Sequence, residues 1–152
     1  MQHCCIWNVN ASETGIFMQA LEILQQHNLK KTSPRLAIIE ALQSSGEPLA
    51  EAEISVTMGS HYDRTTFYRS MLTLEEAGIL HRIIVDKQLV KYALNPAGPN
   101  VKSQTDHAHF YCNSCKKLVC LEEIHPGPYR LPAGFQTSES EVIIKGLCNK
   151  CS

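Results

Sequence analysis

The sequence lacks any apolar run long enough to cross a membrane, and it has no large excess of charge of either sign. Its 14 basic and 15 acidic residues give a net charge of -1, which argues against nonspecific coating of nucleic acid or of a membrane surface but leaves room for a focused basic patch. The first ten residues show no cationic stretch followed by an apolar core, so no export signal is visible. We therefore expect a cytoplasmic protein of one or two small domains.

Two Cys-x-x-Cys pairs lie in the last third of the chain, Cys112 with Cys115 and Cys148 with Cys151. Each pair puts two thiolates on one tight turn, and two such turns together make the tetrahedral all-sulfur shell that Zn²⁺ favours in closed structural sites. Without an export signal, these thiols are expected to stay reduced and to bind metal. Two disulfides or four unrelated core cysteines are the alternative. The pattern predicts a structural zinc site.

Helical spacing of apolar residues, together with capping residues, predicts four helices in the first half of the chain. The second of them has the clearest start, because the Ser33-Pro34 pair combines a capping hydroxyl with a proline at the first helical position. The helices are expected at residues 13–28 with Ser12 as N-cap, from Ser33 to a stop at Gly46, at residues 50–58 before Gly59, and between Asp63 and Gly78.

Two β-rich runs follow the fourth helix, Ile79–Val85 and Leu89–Leu94, and the turn between them predicts a hairpin. Short helices followed by a hairpin indicate a winged helix-turn-helix, in which the last helix enters the DNA major groove and the hairpin touches the backbone. An inward stripe formed by Phe67, Met71 (or Leu72), Leu74 and Ala77 leaves Thr65, Tyr68 and Arg69 facing outward, where they suit base-edge and phosphate contacts. A winged helix used for protein contacts is the alternative.

Residues 95–105 are rich in proline, glycine and small polar residues and have no periodicity, which predicts a linker. It would separate a winged-helix domain at residues 1–94 from a zinc-binding domain at residues 106–152. In the second domain, strands are expected on both sides of the first cysteine pair. A loop should follow at residues 122–134, and then a final strand, Phe135–Ile144.

A hairpin around the first cysteine pair would set His109 opposite Cys120, with His107 on the same face two residues along. These three donors could hold a second metal if a fourth ligand came from elsewhere. A slip of one residue would send Cys120 to the other face. Exposed strand histidines and a small buried cysteine are therefore the equally weighted alternative.

Four stretches together resemble the ferric-uptake-regulator family of bacterial metal-dependent transcription repressors. The stretches are Leu29–Arg35, Arg64–Arg69, Glu75–Ile79 and His107–Cys115, and they occur in family order. The resemblance covers roughly residues 15–151. It implies an α+β chain with an N-terminal winged-helix domain and a small C-terminal α/β dimerisation domain, without enzymatic activity. It also implies a homodimer that binds an AT-rich inverted repeat of double-stranded DNA when a regulatory metal is loaded.

The resemblance also implies roles for individual residues. It matches Lys30 to a minor-groove lysine, Arg35 to a backbone-contacting arginine, and the four paired cysteines to a structural zinc site. Tyr68 and Arg69 match the recognition-helix pair. With their neighbours on the same helix, the expected DNA-binding residues are Lys30, Arg35, Arg64, Thr65, Tyr68 and Arg69.

For the regulatory metal, the resemblance matches His107 and His109 to the family's H-x-H core. Cys120 falls where many members carry an acidic residue, and His81 sits where zinc-uptake-type members place a ligand near the linker. The expected set is His81, His107, His109 and Cys120, with His61 and His125 as spare candidates. Sulfur and imidazole donors suit Zn²⁺ better than Fe²⁺ or Mn²⁺, which favours zinc sensing over iron or peroxide sensing.

Two further features depart from the family pattern. Three prolines in residues 124–133 argue against the helix that members often carry there, so dimerisation is expected to depend more on strands. Cys4 and Cys5 match nothing in the pattern.

Three other classes of function compete with this interpretation. Thiol oxidoreductases also use Cys-x-x-Cys, although at a helix start beside a βαβ unit. A zinc enzyme using His107, His109 and Cys120 would need an open coordination position and a general acid or base such as Glu122 or Glu123. A zinc-stabilised interaction module without DNA binding is the third.

Overall fold

The computed structural model describes residues 18–95, 107–121, 123–138 and 140–152 as a mixed α+β chain. No helix in these ranges is both long enough and apolar enough to span a bilayer. The helices are α1 (Ala20–Gln26), α2 (Ser33–Ser45), α3 (Glu51–Met58) and α4 (Arg64–Glu76). The strands are β1 (Leu49–Ala50), β2 (Leu80–Ile84), β3 (Val90–Leu94), β4 (Ala108–Cys112), β5 (Leu118–Leu121) and β6 (Ile143–Gly146).

Helix α1 begins later than the apolar spacing predicts, at Ala20 instead of residue 13. Gln19 is the N-cap in an extended conformation, and its backbone amide donates to the carboxylate of Glu22 at 2.9 Å, which completes the first turn. Met18 precedes the helix and still packs on the core, so the apolar spacing extends to residues on the N-terminal side of the helix. Residues 13–17 and the predicted cap Ser12 lie outside the described residues.

The next two helices agree with prediction to within one residue at each end. The N-cap of α2 is Thr32 and not the predicted Ser33, which is the first helical residue. The helix ends at Gly46, whose φ of 63° is the left-handed conformation that favours glycine. Helix α3 starts one residue later than expected because Ala50 is its N-cap, with its amide donating to the Glu53 carboxylate at 2.7 Å.

Helix α4 starts where its sequence predicts. Asp63 caps it, with Oδ1 accepting the amide hydrogen of Thr66 at 2.8 Å. Of the two candidates for the buried stripe, Leu72 is 56% exposed and is the wrong one. The buried residues of this helix are Phe67, Ser70, Met71 and Leu74.

The β2–β3 hairpin forms as predicted, and its two faces bury against different partners. Strands β1, β3 and β2 form one antiparallel sheet in that order. One hairpin face packs on the helices through Leu80, Tyr92 and Leu94. The other face packs on the second sheet, with Ile83 and Ala93 in one cluster with Tyr111 and Leu118 of strands β4 and β5. The hairpin therefore lies between the helical core and the second sheet.

The second sheet has the order β5-β4-β6. Its β4–β5 pairing has the predicted register, with His109 opposite Cys120 and Tyr111 opposite Leu118. The predicted strand Phe135–Ile144 is wrong, because only residues 143–146 lie beside β4, where they pair in parallel. Residues 123–134 contain no helix or strand, as their prolines predict, and residues 135–138 contain none either, although a strand was predicted there. The predicted linker lies outside the described residues, apart from Asn95.

Candidate metal centres and nucleic-acid interface

The four paired cysteines come together as one group. Their sulfur atoms all lie within 4.8 Å of one another, and all four are free thiols. The Sγ atoms of Cys115 and Cys148 are 3.7 Å apart. A tetrahedral zinc ion with Zn–S bonds of about 2.3 Å places its sulfurs about 3.8 Å apart. The group is Cys112, Cys115, Cys148 and Cys151, and its spacing fits Zn²⁺.

The sheet explains how two distant cysteine pairs meet. Strand β6 runs parallel to β4 and sets Gly146 beside Cys112, so the second pair follows directly after this contact. The amide of Cys148 donates to Sγ of Cys112 at 3.4 Å. This contact, with further backbone amides from the turn of the first cysteine pair, lowers the pKa of Cys112 to about 6. Cys112 is therefore readily available as the thiolate that binds metal.

Three histidines form a second group at the junction of the two sheets. His81 lies on β2, His107 directly before β4, and His109 on β4. One ring nitrogen from each lies within 4.8 Å of the others, and the ring centroids of His107 and His109 are 4.6 Å apart. All three are buried, at 5%, 7% and 2% exposure. The group therefore joins the β2–β3 hairpin to the second sheet.

Burial keeps the imidazoles of His81 and His109 neutral. Desolvation lowers the pKa of His109 to about 3, with a smaller contribution from its histidine neighbours. Desolvation also lowers the pKa of His81 to about 4, against a hydrogen bond to Asn95 that works in the opposite direction. A neutral imidazole has a lone pair on one ring nitrogen, which is the form that binds metal.

The ring nitrogens of this group have few polar partners. Within the described part of the chain, Nε2 of His81 and both ring nitrogens of His109 are buried without a hydrogen bond. Buried polar atoms in this state are costly, and a coordinated cation would satisfy them. Zinc–nitrogen bonds of about 2.0–2.1 Å require nitrogens about 3.4 Å apart, so a contraction on the order of 1 Å would suffice. The donor chemistry therefore fits a zinc ion.

The other predicted metal ligands are placed differently. Cys120 is buried opposite His109, but it does not belong to the group of three, and its sulfur is disulfide-bonded. It would have to be reduced before it could bind a metal, so its role stays a prediction. His61 and His125 are exposed and belong to neither group.

The predicted DNA-contacting residues lie at two helix starts. Arg64, Thr65, Tyr68 and Arg69 occupy the first two turns of α4 and are all exposed. At the start of α2, the guanidinium of Arg35 donates to the carbonyl oxygen of Lys30 at 3.0 Å. These side chains are therefore accessible to a partner.

The acidic residue Glu51 organises part of this surface. Its two carboxylate oxygens accept hydrogen bonds from the hydroxyls of Tyr62 and Tyr68, each at 2.5 Å. These contacts lower the pKa of Glu51, with the bond from Tyr62 contributing most. The guanidinium of Arg64 lies over the Tyr68 ring, 5.8 Å from its centroid, and 3.9 Å from Glu51. Tyr68 is therefore held in one orientation.

Sequence reasoning missed two residues that position these groups, Glu51 and Asn95. Glu51 looked like an ordinary acidic residue in the first turn of a helix, and no local pattern pairs it with Tyr68. Asn95 looked like the first residue of the linker. A hairpin register that places Asn95 diagonally across from His81 was the signal that could have identified it.

Comparison with known proteins gives a consistent result. A family model described as the ferric uptake regulator family matches residues 26–126. The transcriptional regulator FurA of Mycobacterium tuberculosis is 27% identical over 137 residues, which are 86% of this chain and 88% of that protein. The ferric uptake regulation protein of Cupriavidus metallidurans is 27% identical over 136 residues, 84% of this chain and 90% of that protein.

Solved structures agree in fold. A zinc uptake regulator complexed with zinc and DNA has a TM-score of 0.63 at 19% identity, covering 87% of this chain and 89% of that one. The iron-bound ferric uptake regulator of Francisella tularensis has a TM-score of 0.56 at 22% identity, covering 81% of this chain and 94% of that one. Because the matched family segment is more than half of the sequence and spans both the α4 surface and the histidine group, this chain belongs to the ferric uptake regulator family and is a transcription regulator, not an enzyme.

Proposed function

We propose that this regulator is a repressor whose affinity for operator DNA rises when a divalent metal, with zinc favoured, is bound by His81, His107 and His109. The observation that carries the proposal is the meeting of three buried histidines at the junction of the two sheets, where His81 Nε2 and both ring nitrogens of His109 have no hydrogen bond among the described residues. Such a group is costly to bury unless something binds it.

The donor set supports zinc over iron or manganese. Among the residues that the structure describes, the group contains imidazole nitrogens and no carboxylate. Imidazole suits zinc, whereas manganese prefers sites with more oxygen donors and non-haem iron sites commonly include a carboxylate. Cys120, if reduced, would add a sulfur donor and strengthen this preference. Sensing of iron or peroxide is the alternative, and it predicts a response to Fe²⁺ or Mn²⁺ at metal concentrations where Zn²⁺ gives none.

The position of the ligands suggests how metal binding reaches DNA. His81 belongs to the hairpin that directly follows α4, and the other two histidines belong to the second sheet. His81, His107 and His109 would hold a zinc ion, which would supply coordinate bonds to their imidazoles. The chain's own residues then hold the hairpin and the second sheet in one arrangement, which favours the state that binds DNA. Metal and DNA must strengthen each other's binding by the same factor.

The remaining assignments follow the family resemblance. We assign a structural zinc ion to Cys112, Cys115, Cys148 and Cys151, and a homodimer built through the domain at residues 106–152. The winged-helix domain at residues 1–94 would contact an AT-rich inverted repeat, with residues 95–105 as linker and the cytoplasm as location. The proposed DNA-contacting residues are Lys30, Arg35, Arg64, Thr65, Tyr68 and Arg69.

The test is DNA affinity measured by fluorescence anisotropy across buffered free Zn²⁺, Fe²⁺ and Mn²⁺. We expect zinc to raise affinity for an AT-rich inverted repeat by roughly 5–150-fold, the usual range of such coupling. His81→Ala should abolish the rise, whereas His125→Ala is the matched control because this histidine is exposed and outside the group. Arg69→Ala should weaken binding to the repeat with and without zinc. A His81→Ala protein that responds to zinc like the parent would refute the assignment.

A further inference from the structure

The side chain of Asn95 makes two hydrogen bonds at the end of strand β3. Its amide nitrogen donates to the carbonyl oxygen of Gly78 at 2.8 Å, and its Oδ1 lies 2.7 Å from Nδ1 of His81. Its backbone amide donates to the carbonyl oxygen of Ile79 at 2.9 Å, one step beyond the β2–β3 ladder. The main chain therefore fixes Asn95, and the side chain connects two other groups.

These two bonds determine which nitrogen of His81 carries the proton. The carbonyl of Gly78 can only accept, so the NH₂ group of Asn95 must face it and the amide oxygen must face His81. An oxygen can only accept as well, so Nδ1 of His81 is the donor. In a neutral imidazole the lone pair then lies on Nε2, which is the buried atom without a hydrogen bond among the described residues.

The other bond from Asn95 reaches the end of helix α4. Gly78 has a φ of 70°, and its amide donates to the carbonyl oxygen of Glu75 at 2.9 Å. The amide of Ile79 donates to Leu74 at 2.9 Å, which completes the double hydrogen-bonded stop of the helix. The carbonyl of Gly78 is thus part of the turn that sets the direction in which the chain leaves the DNA-contacting helix.

From this geometry we propose that Asn95 is a positioning residue that holds His81 in its metal-binding tautomer and connects that ligand to the end of α4. The inference rests on the proposed function of the histidine group and names the route by which its occupancy reaches the DNA-contacting helix. A ligand held through its second ring nitrogen is oriented and made more basic, and loss of such a partner typically costs about 10–100-fold in metal affinity.

Two substitutions separate the two roles of this side chain. Asn95→Asp keeps an oxygen that accepts from Nδ1 of His81 but has no hydrogen to donate to Gly78. Asn95→Ala removes both bonds, and in either variant the backbone amide still donates to Ile79. Each protein is examined with the structural zinc retained. Regulatory affinity is measured by Zn²⁺ titration against a chelator, coordination by the visible spectrum of bound Co²⁺, and DNA affinity by anisotropy with and without Zn²⁺.

We expect Asn95→Ala to lose about 10–100-fold in regulatory zinc affinity and to show an altered Co²⁺ spectrum. Asn95→Asp should keep zinc affinity within about threefold of the parent, because it retains the partner that raises ligand basicity. It should nevertheless lose most of the zinc-dependent gain in DNA affinity, because the bond to α4 is gone. Only a route through Asn95 predicts this separation of metal binding from DNA response.

The contrary outcomes distinguish this inference from the proposed function. If Asn95→Ala binds zinc as the parent does while His81→Ala does not, the metal site stands and the positioning role is wrong. If Asn95→Asp keeps the full DNA response, the connection to α4 is wrong. If His81→Ala itself binds zinc and responds like the parent, the proposed function fails. If Asn95→Ala does not fold, Asn95→Asp alone decides the connection to α4, and its Co²⁺ spectrum decides the orientation of His81.

Discussion

Replacing His109 with leucine should make the metal-free protein more stable while it destroys the metal response. The side chain is 2% exposed, and both ring nitrogens are buried without a hydrogen bond in the described part of the chain. A neutral imidazole has one donor and one acceptor, so two polar groups are left unsatisfied. The leucine side chain is of similar size and has no polar group.

The expected size of the effect follows from these contacts. Each unsatisfied buried group costs about 1–3 kcal/mol. An imperfect fit of leucine costs less than about 1.5 kcal/mol. Two such unsatisfied groups together cost about 2–6 kcal/mol, so the net gain for His109→Leu is about 0.5–6 kcal/mol without metal. Each kcal/mol raises Tm by about 2–4 °C for a chain of this length. With free zinc at about 100 times its dissociation constant, the parent gains about 2.7 kcal/mol and the variant nothing.

Thermal melts by circular dichroism test this reversal. They are run at a buffered free zinc concentration that fills only the cysteine group, and again with excess zinc. The variant should melt higher in the first condition. Excess zinc should then raise the Tm of the parent but not that of the variant, which narrows or reverses the difference. His125→Leu is the control, since an exposed position should change stability by less than about 0.5 kcal/mol. A His109→Leu protein that is less stable than the parent without metal, or that is still stabilised by excess zinc, would refute the reasoning.

Three further predictions concern other parts of the molecule. The metal-free protein should lose about 2 kcal/mol of stability per histidine between pH 8 and pH 5, because His81 and His109 have pKa values of about 4 and about 3 when folded but about 6.5 when unfolded, so that only the unfolded chain takes up the protons. Melts across this pH range check it, and His109→Leu should show a smaller drop. Cys148→Ala should release the zinc of the cysteine group and make the second sheet sensitive to protease, because a structural zinc ion contributes folding free energy; a variant that keeps stoichiometric zinc would contradict this. Glu51→Gln keeps only one acceptor for the hydroxyls of Tyr62 and Tyr68 and removes a negative charge beside Arg64. It should strengthen binding to random DNA and reduce discrimination for the operator in paired anisotropy titrations, whereas unchanged discrimination would remove Tyr68 from the residues that Glu51 positions.

Local signals in the sequence were sufficient to predict most of the helices and strands. Asp63 begins α4 and Gly46 ends α2 as predicted, because a cap acts through hydrogen bonds within one turn. Helix α1 and strand β6 were misjudged because apolar spacing continues into residues that are not in a helix or strand. Met18 packs on the core without being helical, and residues 135–138, 140 and 141 lie outside any strand.

The cysteine group could be predicted from spacing, since each pair is set by its own tight turn. The alternation of His107 and His109, and their register against Cys120, also followed from the hairpin alone. The place of His81 in the group was expected only from the family resemblance. No local rule brings it to the second sheet.

The sequence by itself therefore determined helices α2, α3 and α4 to within one residue, the Asp63 and Gly46 caps, the two hairpins and the sulfur donors, because each depends on interactions within a few residues. Only the tertiary structure decided that the hairpin buries one face on the helices and the other on the second sheet. That packing brings His81 to His107 and His109, and the register of the hairpin sets Asn95 between His81 and the end of α4. Such contacts join segments far apart in the chain, and they depend on burial of apolar surface that no short pattern encodes.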